Sequence, residues 1–162
     1  MTIYFFTADE KPYGCFCNFS LHGFELDGLW WPTSEHYYQA QKFAGTPHAE
    51  IIRLAKTPGE SAKLGHALPH RSDWKRIKYN VMHQAVFRKF QTHEDIRKIL
   101  LSTGDKMIIQ KDIGDYYWGC GKDGTGHNYL GKILMEVRIS LRHISYDDLV
   151  DQKRANFKHS AN

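Results

Sequence analysis

The sequence is poor in cysteine and has no long hydrophobic run. Its three cysteines, Cys15, Cys17 and Cys120, are an odd number in a chain of 162 residues, which argues against a disulfide framework and suits reduced thiols in a cytoplasm. No window approaches the roughly 18 consecutive apolar residues of a membrane span. The first six residues lack the basic start and long apolar stretch of a signal peptide. We therefore expect a cytoplasmic protein that does not interact with membranes.

Several catalytic and metal-binding motifs are also missing. There is no Gly-x-Ser-x-Gly elbow and no Walker sequence, so neither acyl transfer nor hydrolysis of nucleoside triphosphates has support. Among the ten histidines only His66 and His70 have a suggestive spacing, and Pro69 breaks the helical geometry that would align them. We expect no metal ion and no cofactor.

The composition is that of a folded domain. Hydrophobic residues make up 41% of the chain and aromatic residues 14%, which excludes a disordered or collagen-like protein. The formal net charge of +4 favours anionic partners such as phosphates, but is too small for wrapping long DNA. The length suits one domain. We assign residues 1–145 to that domain and expect the polar segment 146–162 to be a fraying tail.

Periodicity and turn signals predict a helix-rich α+β fold, a single compact domain with a small antiparallel sheet. The clearest local signal is Asp27-Gly28 between two apolar runs, which is typical of a type I′ hairpin because both residues must adopt positive φ. Further strands are expected at 3–6 and 107–110. Helices are expected at about 34–43, 47–56, 59–67, 73–90, 93–102 and 126–143.

One helix face combines a carboxylate with an amine. Glu35, Gln39 and Lys42 are spaced at i, i+4 and i+7, so all three lie on the same side of the first predicted helix. The carboxylate and the ammonium could face one cavity. Alternatively, Glu35 is a first-turn residue that complements the helix dipole and Lys42 is solvated, which is the commoner arrangement for charged helix faces.

A glycine-rich run precedes the last helix. Glycines at 119, 121 and 124 fit G-x-G-x-x-G, but no βαβ unit surrounds them, so a dinucleotide-binding fold is not indicated. Backbone N–H groups leading into a helix could instead bind phosphate, or the run could be a flexible turn. Trp74 and Trp118 lie near polar loops where they could stack on a heterocycle, although Trp74 also fits the apolar stripe of its own helix.

Five motifs together resemble a known family. The motifs are Phe16-Cys-Asn-Phe19, the run from Trp31 to Phe43, Arg71-Ser-Asp-Trp74, Asp115-Tyr-Tyr-Trp-Gly119 and the run from Gly124 to Gly131. They occur in chain order over about residues 3–143 and resemble the motifs of the NADAR family, also called YbiA-like N-glycosidases.

The resemblance implies an enzyme that hydrolyses the N-glycosidic bond between a phosphorylated ribose and the exocyclic amine of a base. Its substrate would be guanine carrying ADP-ribose, free or in nucleic acid, or a ribosylamino-pyrimidine phosphate of riboflavin synthesis. A DNA ADP-ribosyltransferase toxin is a possible partner. Two alternatives remain open: a module that binds ADP-ribose without cleaving it, and a nucleic-acid-associated protein that docks through the basic helix 73–90.

The resemblance also assigns roles to residues. Glu35 would handle protons, and its place at a helix N-terminus is expected to lower its pKa and favour the role of base. Lys42 would attack C1 of the opened sugar as a Schiff-base nucleophile or hold phosphate, and Asp115 would stabilise positive charge at C1 or bind ribose hydroxyls. The residues expected to bind substrate are Asn18, Phe19, Tyr37, Arg71, Trp74, Trp118, Gly124, Gly126 and Asn128.

Overall fold

Two small sheets and six helices make up the computed structural model, which describes residues 1–144. The expected tail at 146–162 lies outside the described residues. The strands are β1 (Thr2–Phe5), β2 (Phe24–Leu26), β3 (Leu29–Trp31) and β4 (Met107–Gln110). The helices are α1 (Ser34–Gln41), α2 (Pro47–Arg53), α3 (Pro58–Gly65), α4 (Trp74–Thr92), α5 (Glu94–Ser102) and α6 (Tyr129–Arg142), and a short 3-10 helix spans Tyr13–Phe16.

The antiparallel sheet is the predicted hairpin. Strands β2 and β3 pair with Phe24 opposite Trp31, and the turn residues Asp27 and Gly28 have φ angles of 55° and 76°. Both values lie in the left-handed region that a type I′ turn requires. The hairpin prediction and the α+β class are therefore confirmed.

The second sheet was not predicted. Strand β1 pairs in parallel with β4, Thr2 opposite Met107 and Phe5 opposite Gln110. The two strands lie about 100 residues apart along the chain, and local patterns reveal a strand without revealing its partner. Helix α6 packs on β4 and on α4, so α6 links this sheet to α4.

Helix α1 is buried on every side although its sequence is polar. Ser34 to Ala40 are all buried, because α2, α3, α4 and β3 all contact this helix. A buried polar side chain must be hydrogen-bonded or otherwise compensated. The polar residues of α1 therefore need a specific structural or chemical explanation.

Helix ends follow local chemistry, with some shifts from the predicted bounds. Thr33 caps α1 through Oγ1, which accepts from His36 N at 3.2 Å. Helix α1 ends at Gln41 and α2 at Arg53, each earlier than expected. The predicted start of the last helix at 126 is wrong, because Asn128 has a φ of 50° and this left-handed residue prevents helix before Tyr129.

No helix within residues 1–144 is both long and apolar enough to cross a membrane.

Candidate active site

A cavity of about 590 Å³ lies where α1 meets the loops that follow β1 and β4. This volume is in the usual range for a small-molecule site. It is lined by residues 6–8 and 17–19, by Glu35, Tyr38, Gln39 and Lys42, by His66 and Met82, and by Gln110, Asp112, Asp115 and Trp118.

The polar face of α1 forms one wall of this cavity. Glu35, Gln39 and Lys42 are only 8%, 3% and 4% exposed, and all three line the cavity. Gln39 Nε2 donates to Glu35 Oε1 at 2.6 Å. The helical spacing therefore places the carboxylate and the amine on one wall, and the alternative of two solvated surface charges is excluded.

Burial dominates the electrostatics of Glu35. Removal from water raises the pKa of its carboxyl, and the hydrogen bond from Gln39 and the positive charge of Lys42 oppose that effect only in part. The expectation that the helix N-terminus would lower this pKa is therefore wrong. A carboxyl with a raised pKa is better suited to donating a proton than to accepting one.

Lys42 is held just beyond the C-terminal end of α1. Its Nζ donates to Gly65 O at 3.5 Å and lies 5.5 Å from the ring centroid of Tyr38 and 5.9 Å from that of Trp74. Burial lowers the pKa of the Lys42 amine, with the charge of Glu35 acting in the opposite direction. A lowered pKa increases the fraction of neutral amine, which is the nucleophilic form.

Asp115 reaches the cavity from the loop after β4. Its Oδ1 accepts from Tyr117 N and Trp118 N, both at 2.7 Å. Asp112 lines the same wall, and its Oδ1 accepts from Gly114 N at 2.9 Å. Sequence reasoning missed Asp112, because nothing in its neighbourhood distinguishes it from a surface acid.

The aromatic wall consists of Tyr38 and Trp118. Their ring centroids are 5.4 Å apart with an interplanar angle of 87°, the edge-to-face geometry that aromatic pairs favour. Trp74 lies behind Tyr38 at 5.0 Å and is buried, so it supports the wall from the core. Phe19 lines the cavity and is 40% exposed, which leaves its ring accessible to a ligand.

Comparison with known proteins decides the family. The sequence profile of the NADAR domain matches residues 4–142. The chain belongs to the NADAR domain family. It is 48% identical over 149 residues to N-glycosidase Npun_R5314 of Nostoc punctiforme, a match that covers 89% of this chain and 95% of that protein. It is also 38% identical over 148 residues to Riboflavin biosynthesis protein VVA0006 of Vibrio vulnificus, covering 90% of this chain and 40% of that protein.

A solved structure supports the NADAR fold. The NMR structure of the Escherichia coli protein YbiA superposes with a TM-score of 0.80 at 37% identity, covering 90% of this chain and 92% of that one. The family resemblance and the fold expected from it are therefore confirmed.

The NADAR motif Phe16–Phe19 supplies Asn18 to the cavity wall. Asn18 Oδ1 accepts from Ser34 Oγ at 3.1 Å, and its backbone carbonyl accepts from Glu35 N at 3.2 Å. These contacts join the segment after the 3-10 helix to the first turn of α1. Asn18 thus fixes the position of the residues around Glu35 as well as lining the cavity.

Tyr37 and Arg71, both expected to bind substrate, do not line the cavity. Tyr37 is on another side of α1, where its hydroxyl lies 2.9 Å from Asp27 Oδ2 and its ring packs edge-on against Trp31 at 5.0 Å. Tyr37 therefore supports the hairpin, whereas its neighbour Tyr38 lines the cavity. The Arg71 guanidinium makes two hydrogen bonds to Asp73, of 2.5 and 3.0 Å, so its fork is already occupied by a carboxylate.

The glycine-rich run does not form the expected phosphate cradle. Gly124 and Gly126 are not part of the cavity wall, and the Gly126 N–H donates to Cys120 O at 2.8 Å. Asn128 is also used structurally: its Oδ1 accepts from Gln110 N and its Nδ2 donates to Ile108 O, both at 2.9 Å. Asn128 therefore holds the start of α6 against β4, whereas the Gly126 N–H is paired within the loop.

A buried lysine supports the segment that contains Asn18. Lys89 belongs to the basic helix expected at 73–90, but it is 1% exposed and its Nζ donates to Cys17 O at 3.0 Å. Burial lowers the pKa of Lys89 to about 8. Lys89 therefore does not lie on the exposed, charged face of α4. Its hydrogen bond to Cys17 O holds the cavity wall at Cys17 in place.

Proposed function

We propose that the protein hydrolyses the N-glycosidic bond between a phosphorylated ribose and the exocyclic amine of a base. The reaction class is supported by relatives named N-glycosidases, and a further relative is named for riboflavin biosynthesis. The observation that carries the proposal is the burial of Glu35 and Lys42 on one cavity wall, with burial raising the pKa of the acid and lowering that of the amine.

The chemistry follows from the glycosylamine bond. A ribose attached to an exocyclic amine can open to an imine, which is electrophilic at C1. The neutral Lys42 amine adds to C1, Glu35 gives its proton to the departing nitrogen, and the base leaves as a free amine. Water then adds to the lysine imine and releases the sugar as an aldehyde, which restores the Lys42 amine. Alternatively, water attacks C1 directly and Lys42 contributes only its charge.

The remaining wall residues suit the charge and shape of such a substrate. Asp115 supplies a carboxylate whose Oδ1 is fixed by two backbone donors, so negative charge is available near a cationic C1. The rings of Trp118 and Phe19 offer faces on which a base can stack. We propose these three residues, with Asn18, as the substrate-binding set.

Turnover of two substrates tests the proposal. The protein is incubated with an oligonucleotide carrying ADP-ribosylated guanine and, separately, with a ribosylaminouracil phosphate, and the released sugar is followed by mass spectrometry. Glu35→Gln keeps the shape of the site but cannot supply a proton, so turnover falls by about 100-fold or more while ligand affinity is retained. Exposed Glu25 provides the control variant Glu25→Gln, which keeps wild-type turnover.

Two results would contradict this assignment. Full activity of Glu35→Gln removes Glu35 from the mechanism. Binding of ADP-ribose without turnover of either substrate identifies a non-catalytic binding module instead. Preference for the oligonucleotide supports a role in reversing the action of a DNA ADP-ribosyltransferase toxin. Preference for the ribosylaminouracil phosphate supports a role in the metabolism of riboflavin intermediates.

Borohydride trapping tests the role of Lys42. Reduction during turnover is expected to fix the sugar to the protein, with the added mass on the peptide that contains Lys42. The control variant Lys75→Ala, at an exposed position, is trapped equally well, whereas Lys42→Met is not. Turnover without any trapped adduct favours direct attack by water.

A further inference from the structure

His66 contributes a second proton-transfer group to the cavity wall. It follows α3 directly, is exposed and lines the cavity. Its Nδ1 lies 2.6 Å from Ala62 O. A carbonyl oxygen can only accept, so the hydrogen of the neutral ring is on Nδ1. The ring's other nitrogen, Nε2, then carries a lone pair and can take a proton.

The turn that carries His66 is packed against the face of α1. Gly65 O accepts from Lys42 Nζ at 3.5 Å, and a Cβ built on Gly65 would lie 2.0 Å from Gln39 Oε1. His66 is near enough to Glu35 that a proton on its ring would oppose the rise in the pKa of that carboxyl. The turn therefore places His66 next to a residue that contacts Lys42, and within electrostatic range of Glu35.

The proposed reaction requires both an acid and a base. Glu35 suits the acid because burial favours its protonated form. The Oδ1 of Asp115 already accepts two backbone hydrogen bonds, from Tyr117 N and Trp118 N, and the proposed reaction uses this carboxylate to stabilise charge at C1. Histidine can accept and return a proton near neutral pH, and His66 is the histidine on this wall.

We propose that His66 is the general base for the water that attacks C1, an inference that rests on the proposed function. As the water oxygen bonds to C1, Nε2 takes one proton from that water. In direct attack, the C1–N bond breaks while Glu35 protonates the departing amine. In the lysine route, the same base acts when water adds to the lysine imine. The proton on Nε2 then returns through solvent to the Glu35 carboxylate, so the protein ends unchanged.

Chemical rescue tests this role. His66→Ala removes the base but leaves a space open to solvent, because the side chain is exposed. We expect kcat to fall by about 100-fold, with partial recovery on addition of imidazole and little change in KM. His70→Ala is the matched control. His70 is also exposed and packs near Phe43 and Trp74, but does not line the cavity, so its loss changes kcat less than about twofold and imidazole has no effect.

The kinetic results distinguish failure of the base assignment from failure of the proposed function. Wild-type kcat in His66→Ala overturns the base assignment while leaving the proposed function intact. A rise in KM without imidazole rescue also overturns it, since that result shows a binding role. Absence of turnover by the wild-type protein overturns the proposed function and this inference together. Lowered kcat with imidazole recovery supports both.

Discussion

Substitution of one glycine tests how closely α3 and α1 are packed behind the cavity. An ideal Cβ on Gly65 would lie 2.0 Å from Gln39 Oε1, 2.8 Å from its Cδ and 3.0 Å from its Cβ. The Gln39 amide cannot stay in place beside an added methyl group at these distances, so Gly65→Ala must displace it. Displacement breaks the 2.6 Å hydrogen bond from Gln39 to Glu35.

Two opposing energies determine the size of the effect. Overpacking a buried contact costs about 1–3 kcal/mol, whereas replacing glycine by alanine within a helix gains at most about 1 kcal/mol. With the full helix gain the net loss is up to about 2 kcal/mol, which lowers Tm by up to about 8 °C in a protein of this size. Without the hydrogen bond from Gln39 the Glu35 carboxyl is no longer held in its position on the cavity wall, so kcat is expected to fall by about tenfold.

Thermal unfolding and kcat are measured on Gly65→Ala and on Gly59→Ala. Gly59 lies in the same helix, but the nearest atom to its added Cβ is Thr57 Oγ1 at 3.9 Å. Gly59→Ala is therefore expected to keep or slightly raise Tm and to leave kcat unchanged. If Gly65→Ala matches the wild-type protein in both Tm and kcat, the packing of Gly65 against Gln39 is not what holds Glu35.

Two further predictions concern residues outside the proposed chemistry. Tyr37→Phe removes a hydroxyl that is hydrogen-bonded to Asp27 Oδ2. This variant is expected to reduce the free energy of unfolding, measured in urea, by about 1–3 kcal/mol and to leave kcat unchanged. A large fall in kcat would show that Tyr37 takes part in the reaction or in substrate binding. Because the pKa of Lys89 is lowered to about 8 in the folded protein, the unfolded chain binds more protons than the folded protein at alkaline pH. The wild-type free energy of unfolding should therefore rise by about 2 kcal/mol relative to Lys89→Met between about pH 7.5 and about pH 10. Parallel pH dependence in the two proteins would contradict this.

Local rules explain which parts of the fold were predictable. Asp27 and Gly28 specify their turn through backbone conformation alone, so the hairpin could be derived from two residues. The parallel pairing of β1 with β4 depends on contacts between distant segments, for which a single sequence carries no local signal. The start of α6 was not predictable for the same reason. Helix α6 begins only after the left-handed Asn128, and that residue is held by its hydrogen bonds to β4.

The candidate site was also predictable only in part, because some of its features depend on tertiary contacts. Helical periodicity places Glu35, Gln39 and Lys42 on one face, but cannot show that this face is buried, because charged and polar faces of helices are usually exposed. It also cannot choose between Tyr37 and Tyr38, which are adjacent in sequence and face different surroundings. The choice follows from tertiary packing, since the hairpin occupies one side of the helix and the cavity the other.

The glycine-rich run illustrates a further limit. Glycines before a helix predict that backbone N–H groups are available, yet the sequence does not show which acceptors these groups meet. In the structure the Gly126 N–H donates to Cys120 O. A motif that provides donors thus becomes a binding site only if the rest of the fold leaves the donors unpaired.

The parallel pairing of β1 with β4 also governs when the cavity can form during synthesis. The wall at residues 6–8 and the wall from Gln110 to Trp118 meet only when two segments about 100 residues apart come together. Closing such a loop carries an entropic penalty of about 4 kcal/mol, and parallel pairing between segments far apart in the sequence is intrinsically slow. A nascent chain on the ribosome can therefore complete the hairpin early, but has no complete cavity until the segment after β4 has emerged.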